Sequence, residues 1–169
     1  MDEFIKILQK ALELELNGFD FYRKMSSSSK NRLVKKLFLH LAKEEKLHYQ
    51  RINHIAKSLA SNKRIFRKDI KLGKIEGRIF DEIFSDYEDD KEYKAEVEAL
   101  KTAEKMEKGS IKHYQNALTK TNDPLIKEFL SRLIKEEEGH LISIVDSIEY
   151  LKSPEDWHQR HERSMYDGA

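Results

Sequence analysis

The chain has 169 residues, enough for one domain with its own core, and it contains no cysteine. The lack of cysteine excludes disulfides, thiolate nucleophiles and metal sites that this chain would build from thiolates. Lysine and arginine (32) nearly balance aspartate and glutamate (31) and are interleaved with them, so we expect no nucleic-acid partner.

The composition favours an all-α fold. Charged residues make up 37% of the chain, while glycine (six) and proline (two) are rare, as in proteins built from long amphipathic helices. No apolar stretch approaches the ~18 residues of a membrane span. The acidic start, MDEFIKILQK, does not resemble a signal peptide. We therefore expect a cytoplasmic protein with no membrane partner.

Apolar residues at three- and four-residue steps predict four helices. Their predicted bounds are about 2–25, 33–59, 92–118 and 125–151. The segment SSSSKN at 26–31 separates the first two helices, and TNDP at 121–124 separates the last two. In the second turn, Asp123 is a predicted N-cap and Pro124 the first helical residue. The two short turns predict two helix hairpins.

A much longer link, about residues 60–90, joins the two hairpins. Connections of this length inside a compact domain are uncommon, and we predict a short extra helix within it, at about 74–84. The chain is then a four-helix bundle, residues 1–151, of two hairpins joined by a long crossover. A C-terminal tail, 152–169, follows, and we expect its Trp157 to dock on an apolar surface, with a surface of another subunit as one candidate.

The first hairpin resembles the second at a constant offset of 92 residues. ALELELNGFDFY at 11–22 aligns with AEKMEKGSIKHY at 103–114, and AKEEKLHYQ at 42–50 aligns with IKEEEGHLI at 134–142. Two copies of a hairpin pack most simply about a pseudo-twofold axis. A polar residue that one copy contributes to the core should therefore face its counterpart from the other copy.

Polar residues that obey this offset interrupt the apolar faces of all four helices. They are Glu15, Glu45, His48, Glu107, Glu137 and His140. Four unpaired carboxylates buried together would be strongly destabilising, because the desolvation of each ion costs about several kcal/mol and like charges repel. Two metal cations bridged by carboxylates remove that penalty. Mixed carboxylate and imidazole ligation suits iron or manganese.

A single Glu-x-x-His is weak evidence, since random placement yields about one match in a chain of this composition. Glu155 and His158, in a tail without apolar periodicity, are interpreted as such a match. Two copies on apolar faces, at an offset shared with two further glutamates, are not expected by chance. The alternative interpretation is a bundle whose carboxylates are solvated.

At these residues the chain resembles the rubrerythrin branch of the ferritin-like superfamily, over roughly 1–60 and 91–151. The resemblance implies that the six polar residues are metal ligands and that the cofactor is two iron ions, with manganese or zinc as alternatives. It also implies that Tyr22 and Tyr114 lie near the metals, where a catalytic role is open beside a purely structural one.

The chain departs from rubrerythrins at two points. It has no rubredoxin domain with four cysteines, and Ser110 stands where rubrerythrins have an additional glutamate. Glu104, one turn before Glu107, is a candidate to replace that glutamate. The departures put peroxide reduction of the rubrerythrin kind in question, but not the two-metal site.

The resemblance implies a peroxidase- or oxidase-type oxidoreductase that reacts with hydrogen peroxide or dioxygen in oxidative-stress defence. Such an enzyme would need an external electron donor, such as a rubredoxin-type protein, and we expect it to be a homodimer. Whether the chain is an enzyme is left open. The alternatives are a non-catalytic iron-binding or iron-handling protein and a structural bundle with a vestigial site.

Several acidic residues near the predicted ligands need a separate interpretation. Glu44, Glu136 and Glu138 are sequence neighbours of ligands, but they fall about 100° away around a helix with 3.6 residues per turn. We expect them to be solvated. Asp20 and Asp146 are candidates to orient the ligand histidines.

Overall fold

The computed structural model describes residues 2–61, 63, 65, 93–157 and 159. That part of the chain contains four long helices, α1 (Asp2–Ser28), α2 (Arg32–Ala60), α3 (Lys94–Thr119) and α4 (Pro124–Lys152). They pack as a four-helix bundle, which confirms the predicted all-α fold. The extra helix predicted at 74–84 lies outside the described residues. No helix in the described ranges has both the length and the apolar composition needed to cross a membrane.

The first two helices form one hairpin and the last two form another. α1 packs mainly on α2 and α3 mainly on α4, while α1 also faces α3 and α2 faces α4. Helix α1 therefore has neighbours on two sides, as does α4. Their buried surfaces are consequently wider than the single apolar stripe expected of a helix that packs on one neighbour.

Helix α1 ends one turn later than the sequence predicts. The hydroxyl and the backbone N–H of Ser29 both donate to the carbonyl of Met25, at 2.8 and 2.9 Å, and so satisfy one of the last four carbonyls of the helix. The serine run therefore continues the helix to Ser28 rather than breaking it at once. After a short turn, Asn31 caps α2 by accepting the backbone N–H of Val34 at 3.0 Å.

Helix α4 begins as predicted. The side chain of Asp123 accepts the backbone N–H groups of Leu125 and Ile126, at 2.8 and 3.1 Å, and Pro124 is the first helical residue. Proline suits this position because its missing N–H would have no partner within the helix. The turn in the first hairpin is instead held from outside, by Glu96 of α3, which accepts the backbone N–H of Lys30 at 2.9 Å.

Two apolar clusters fill the interior, one toward each end of the bundle. The first includes Leu8, Ala11, Ile52, Ile55, Tyr114, Phe129, Leu130 and Leu133. The second includes Tyr22, Phe38, Leu41, Leu100, Ala103, Ile144 and Ile148. Full burial of each large apolar side chain contributes about 1.5–3 kcal/mol, so the two clusters can hold a polar layer between them.

The order of these clusters along each helix gives the topology. α1 runs from the first cluster to the second, and α2 returns from the second to the first. α3 begins beside the second cluster, at the opposite end of the bundle from the end of α2. Helix α3 runs from the second cluster to the first, which makes it antiparallel to α1, and α4 then returns to the second cluster. The helix ends thus fit the predicted connection between hairpins, a crossover along the bundle.

The beginning of the tail packs on the chain itself. Trp157 is 5% exposed and meets Tyr150 edge to face, with ring centroids 5.7 Å apart. Leu33 and Leu151 pack against the same pair. The apolar surface expected for Trp157 is therefore provided by the ends of α2 and α4.

Candidate metal centre

All six polar residues singled out in the sequence meet in the layer between the two apolar clusters. They are between 0% and 5% exposed: Glu15, Glu45, His48, Glu107, Glu137 and His140. The spacing i, i+3 places the glutamate and the histidine of α2 on one face of that helix, and the same holds in α4. Helices α1 and α3 each add one glutamate from the other side.

The first group of donor atoms comes from Glu15, Glu45, His48 and Glu137, whose ligand atoms lie within 4.8 Å of one another. Nδ1 of His48 is 3.2 Å from Oε2 of Glu15 and 3.0 Å from Oε1 of Glu137. One imidazole nitrogen therefore faces carboxylate oxygens from two other helices.

The second group comes from Glu45, Glu107, Glu137 and His140, again with ligand atoms within 4.8 Å. Nδ1 of His140 lies 3.1 Å from Oε2 of Glu137, 3.6 Å from Oε1 of Glu45 and 3.9 Å from Oε1 of Glu107. This is the arrangement of the first group, generated by the other half of the repeat.

The two groups share Glu45 and Glu137. The rings of His48 and His140 stack between them, with centroids 5.6 Å apart and planes inclined by 22°. Each group consists of one histidine, one glutamate of its own and the two shared glutamates. The geometry is thus that of two adjacent cation positions with two carboxylates able to bridge them.

Without cations this arrangement is electrostatically unfavourable. Burial raises the pKa of Glu15, Glu45 and Glu107, and the charges of neighbouring glutamates raise it further. All three therefore resist ionisation in the metal-free protein.

The pKa of the shared Glu137 shifts in the opposite direction. Burial by itself would raise its pKa, but the charge of His48 and a hydrogen bond with His140 lower it well below the usual range. For His48, burial by itself would lower the pKa. The charge of Glu137 and the hydrogen bond with Glu136 nevertheless raise it well above its usual value. In the metal-free protein the raised pKa of His48 thus favours its charged form, which partly offsets the negative charge of Glu137.

Unsatisfied atoms test whether metal ions fit. Oε2 of Glu15, Nδ1 of His48 and Oε1 of Glu137 are buried, and within the described residues they have no hydrogen-bond partner. They nevertheless lie 3.0–3.2 Å apart, Nδ1 to each oxygen. Buried polar atoms rarely stay unsatisfied, and three that converge on one another suit a cation that accepts oxygen and nitrogen ligands. The residues present therefore fit a divalent metal.

The two core tyrosines reach the centre from opposite hairpins. Tyr22 donates its hydroxyl hydrogen to Oε1 of Glu107, and Tyr114 donates to Oε1 of Glu15. Both tyrosines are almost fully buried. Burial raises the pKa of Tyr22 well above its usual value, and the charge of Glu107 adds to the effect. The phenol of Tyr22 therefore stays protonated and keeps donating its hydrogen to Glu107.

Glu104 does not join either group of donor atoms. Its carboxylate is half-buried and forms an ion pair with Lys108, one turn along α3, at 2.6 Å. Ser110, at the position of the additional glutamate of rubrerythrins, is buried beside the centre. Of the described residues, none in α3 other than Glu107 belongs to the two groups.

Of the three glutamates expected to be solvated, Glu136 is buried and Glu44 is half-buried. Glu136 is 7% exposed, and its Oε2 lies 2.8 Å from Nε2 of His48, so the prediction for it is wrong. The reason is that α4 packs on α2 as well as on α3, so a position 100° from the ligand stripe is covered by the neighbouring helix. Glu138 is exposed as predicted. Asp20 is also exposed, and the carboxylate in contact with Nε2 of His48 is that of Glu136.

A cavity of about 260 Å³ lies between α1 and α3. Three pairs of lining residues obey the repeat offset of 92: Leu14 with Met106, Asn17 with Gly109, and Gly18 with Ser110. The cavity therefore lies where equivalent segments of the two repeats meet, but Tyr22, Glu45, Glu107 and Lys105 line it without their repeat counterparts. It also contacts Glu45, Glu107 and Tyr22, which makes it a space for a small molecule directly beside the carboxylates.

Gly18 allows the helices to approach closely at this point. A Cβ atom on Gly18 would lie 2.8 Å from Oε2 of Glu45 and 3.1 Å from its carboxyl carbon. Because this is closer than van der Waals contact, any other residue would displace the shared carboxylate. Gly18 is not identifiable from helical periodicity, but its repeat counterpart Ser110 marks the same small-residue position.

The fold and the site define a ferritin-like helical bundle with a buried carboxylate–histidine centre suited to metal binding. A family model described as rubrerythrin matches residues 6–166. The match covers nearly the whole chain, so the chain belongs to the rubrerythrin family, and the resemblance stated from its motifs is confirmed. No curated protein and no solved structure gives a significant match.

Proposed function

We propose that this chain is a di-iron oxidoreductase that reacts with hydrogen peroxide or dioxygen. In this proposal Glu15 and His48 would hold one ion, Glu107 and His140 would hold the other, and Glu45 and Glu137 would be available to both. The observation that carries it is the pair of donor groups, each with one histidine, that share Glu45 and Glu137. Membership of the rubrerythrin family makes iron the expected metal.

For hydrogen peroxide, the reaction breaks the oxygen–oxygen bond and consumes two electrons and two protons to give two waters. Two ferrous ions, when bound, supply those two electrons. The chain's own residues position the peroxide and supply the protons. Glu107 and Tyr22 both line the cavity, so a small oxidant that enters it can reach the phenol hydrogen held at Oε1 of Glu107.

The electrons that restore the ferrous state come from a donor outside this bundle. The chain contains no cysteine, so it has no ligands for a rubredoxin-type iron centre of its own. We propose a small external electron-transfer protein of the rubredoxin type as the donor. An artificial reductant can replace it in experiments.

Anaerobic stopped-flow measurements test the proposal. Protein loaded with two equivalents of Fe²⁺ is mixed with peroxide, and the near-ultraviolet absorbance of the oxidised centre is followed. We expect oxidation much faster than that of free Fe²⁺ under the same conditions. Glu138→Gln, an exposed carboxylate on α4, is the matched control and should react like the wild type. Oxidation no faster than that of free Fe²⁺ would refute the reaction.

The same centre could instead bind iron without turnover, and the absence of cysteine ligands for an electron-transfer site favours this second candidate. Repeated additions of peroxide with an artificial reductant separate the two functions. An oxidoreductase completes many cycles and keeps its iron. An iron-handling protein reacts once at most and releases ferrous iron to a chelator.

A further inference from the structure

The two ring nitrogens of His48 face different surroundings. Nδ1 points at the donor atoms of Glu15 and Glu137, while Nε2 lies 2.8 Å from Oε2 of Glu136 on the opposite hairpin. Both side chains of the Nε2 contact are buried, His48 completely and Glu136 with 7% exposed. The contact is therefore shielded from water and is short enough for a charge-assisted hydrogen bond.

The pseudo-twofold symmetry does not extend to this contact. The repeat counterpart of Glu136 is Glu44, which by symmetry should lie behind His140. Instead the ligand atoms of Glu44, Glu136 and His48 lie within 4.8 Å of one another. In the described part of the chain, the carboxylate contacts of His140 are all made through Nδ1. Glu44 and Glu136 thus both lie next to His48, and neither forms the equivalent group with His140.

We propose that Glu136 is a positioning residue that makes the metal position at His48 the tighter of the two. By accepting the Nε2 hydrogen, its carboxylate sets the ring orientation and leaves the Nδ1 lone pair directed at the metal. Carboxylates that hold a ligand histidine in this way typically change metal affinity by about 10–100-fold. The inference rests on the di-metal site of the proposed function and adds that its two positions are unequal.

A different use of the same three residues is a third cation bound by Glu44, His48 and Glu136. The geometry favours the hydrogen bond. With a metal at Nδ1, a second metal at Nε2 would require the ring to lose both of its nitrogen-bound hydrogens. A third equivalent of bound metal in the titration below would overturn our proposal in favour of that site.

Titration of the metal-free protein with Co²⁺, by calorimetry and visible absorption, tests the proposal. We expect two equivalents with distinguishable affinities in the wild type. Glu136→Gln, which keeps a carbonyl acceptor, should weaken the tighter step by about 10-fold, and Glu136→Ala by up to about 100-fold, while the weaker step is unchanged. Glu138→Gln is the control for loss of a charge on α4, and Glu44→Gln tests the counterpart; both should change either step by less than about threefold.

A spectroscopic measurement separates positioning from general stability. In Zn²⁺-loaded, ¹⁵N-labelled protein, the Nε2 hydrogen of His48 should exchange slowly with solvent in the wild type and rapidly in Glu136→Ala. It should still exchange slowly in Glu138→Gln. If Glu136→Ala does not fold, the same comparison is made with Glu136→Gln, in which exchange should be intermediate.

The outcomes distinguish this inference from the proposed function. If the wild type does not bind two ions, the di-metal function itself fails. If it binds two, and both affinities and the exchange rate are unchanged in Glu136→Gln and Glu136→Ala, only the positioning role fails. Two binding steps of equal affinity in the wild type would refute the asymmetry, and an equal loss in Glu44→Gln and Glu136→Gln would refute the particular role of Glu136.

Discussion

Tyr22, in the first hairpin, donates its phenol hydrogen to Glu107, in the second. The repeat makes the relationship mutual, because Tyr114 of the second hairpin donates to Glu15 of the first. Each hairpin thus orients the unshared glutamate of the other. The carboxylates of Glu15 and Glu107 therefore reach these positions only when the two hairpins are packed together.

We expect Tyr22→Phe and Tyr114→Phe each to lower the free energy of unfolding of the metal-free protein. The loss should be about 1–3 kcal/mol, because a buried carboxylate oxygen is left without its donor. Urea denaturation monitored by circular dichroism measures it. Tyr49→Phe, at a half-buried position on α2, is the control and should cost less than about 0.5 kcal/mol. Similar small losses in all three variants would contradict the prediction.

Replacing a shared ligand should release more metal ions than replacing an unshared one. Glu45→Ala and Glu137→Ala each remove a carboxylate from both donor groups, so both ions should be lost or bound much more weakly. Glu15→Ala removes a carboxylate from the His48 group only, and about one ion per chain should remain. Metal analysis after dialysis against a weak chelator measures the number retained. Equal losses in the three variants would argue against bridging.

Gly18→Ala should displace Glu45 and weaken metal binding. The new methyl group would lie 2.8 Å from Oε2 of Glu45, and all the close atoms belong to the end of that side chain. We therefore expect a displaced carboxylate and weaker Zn²⁺ binding rather than a large loss of fold stability. Gly139→Ala is the matched control, since a Cβ there meets nothing within 4 Å. It should stabilise α4 by about 0.5–1 kcal/mol through helix propensity. Thermal unfolding with and without Zn²⁺ measures both effects, and unchanged Zn²⁺ binding in Gly18→Ala would contradict the clash.

The metal-free protein should lose stability as the pH rises. Because the pKa values of Glu15, Glu45 and Glu107 are raised on folding, the folded state binds more protons above the ordinary glutamate pKa of about 4.3. Their contribution is complete below that pH and is lost as the pH rises through the raised values. His48, whose pKa is also raised, acts in the same direction at higher pH. Glu137, whose pKa is lowered, acts oppositely, and only in acid.

Bound metal should reverse this dependence, because two cations stabilise the ionised carboxylates and compete with protons for the histidines. The increase in melting temperature on adding Zn²⁺ should therefore grow between about pH 5 and pH 7. Differential scanning calorimetry at a series of pH values measures it. In Glu45→Gln the pH dependence of the metal-free protein should be weaker. A metal-induced increase independent of pH would show that the buried glutamates are not the groups responsible.

Helical periodicity and the repeat together were sufficient to identify Glu15 and Glu107. Neither belongs to a motif by itself, but each interrupts an apolar face at the same offset as the two Glu-x-x-His pairs. Glu136 could not be identified in this way. It lies off the ligand stripe of α4, and the helix that covers it, α2, is far away in the sequence.

By itself, the sequence determined the four helices, their pairing into hairpins and the six polar residues of the centre. These features depend on local periodicity and on repetition, and the cost of burying unpaired carboxylates already favoured bound cations. Only the tertiary structure decided that Tyr22 donates its hydrogen bond to Glu107, in the other hairpin. It also decided that Glu44 and Glu136 both lie near His48. Such contacts depend on how each helix is rotated about its axis and on which neighbour each face meets, and a single sequence does not contain that information in local form.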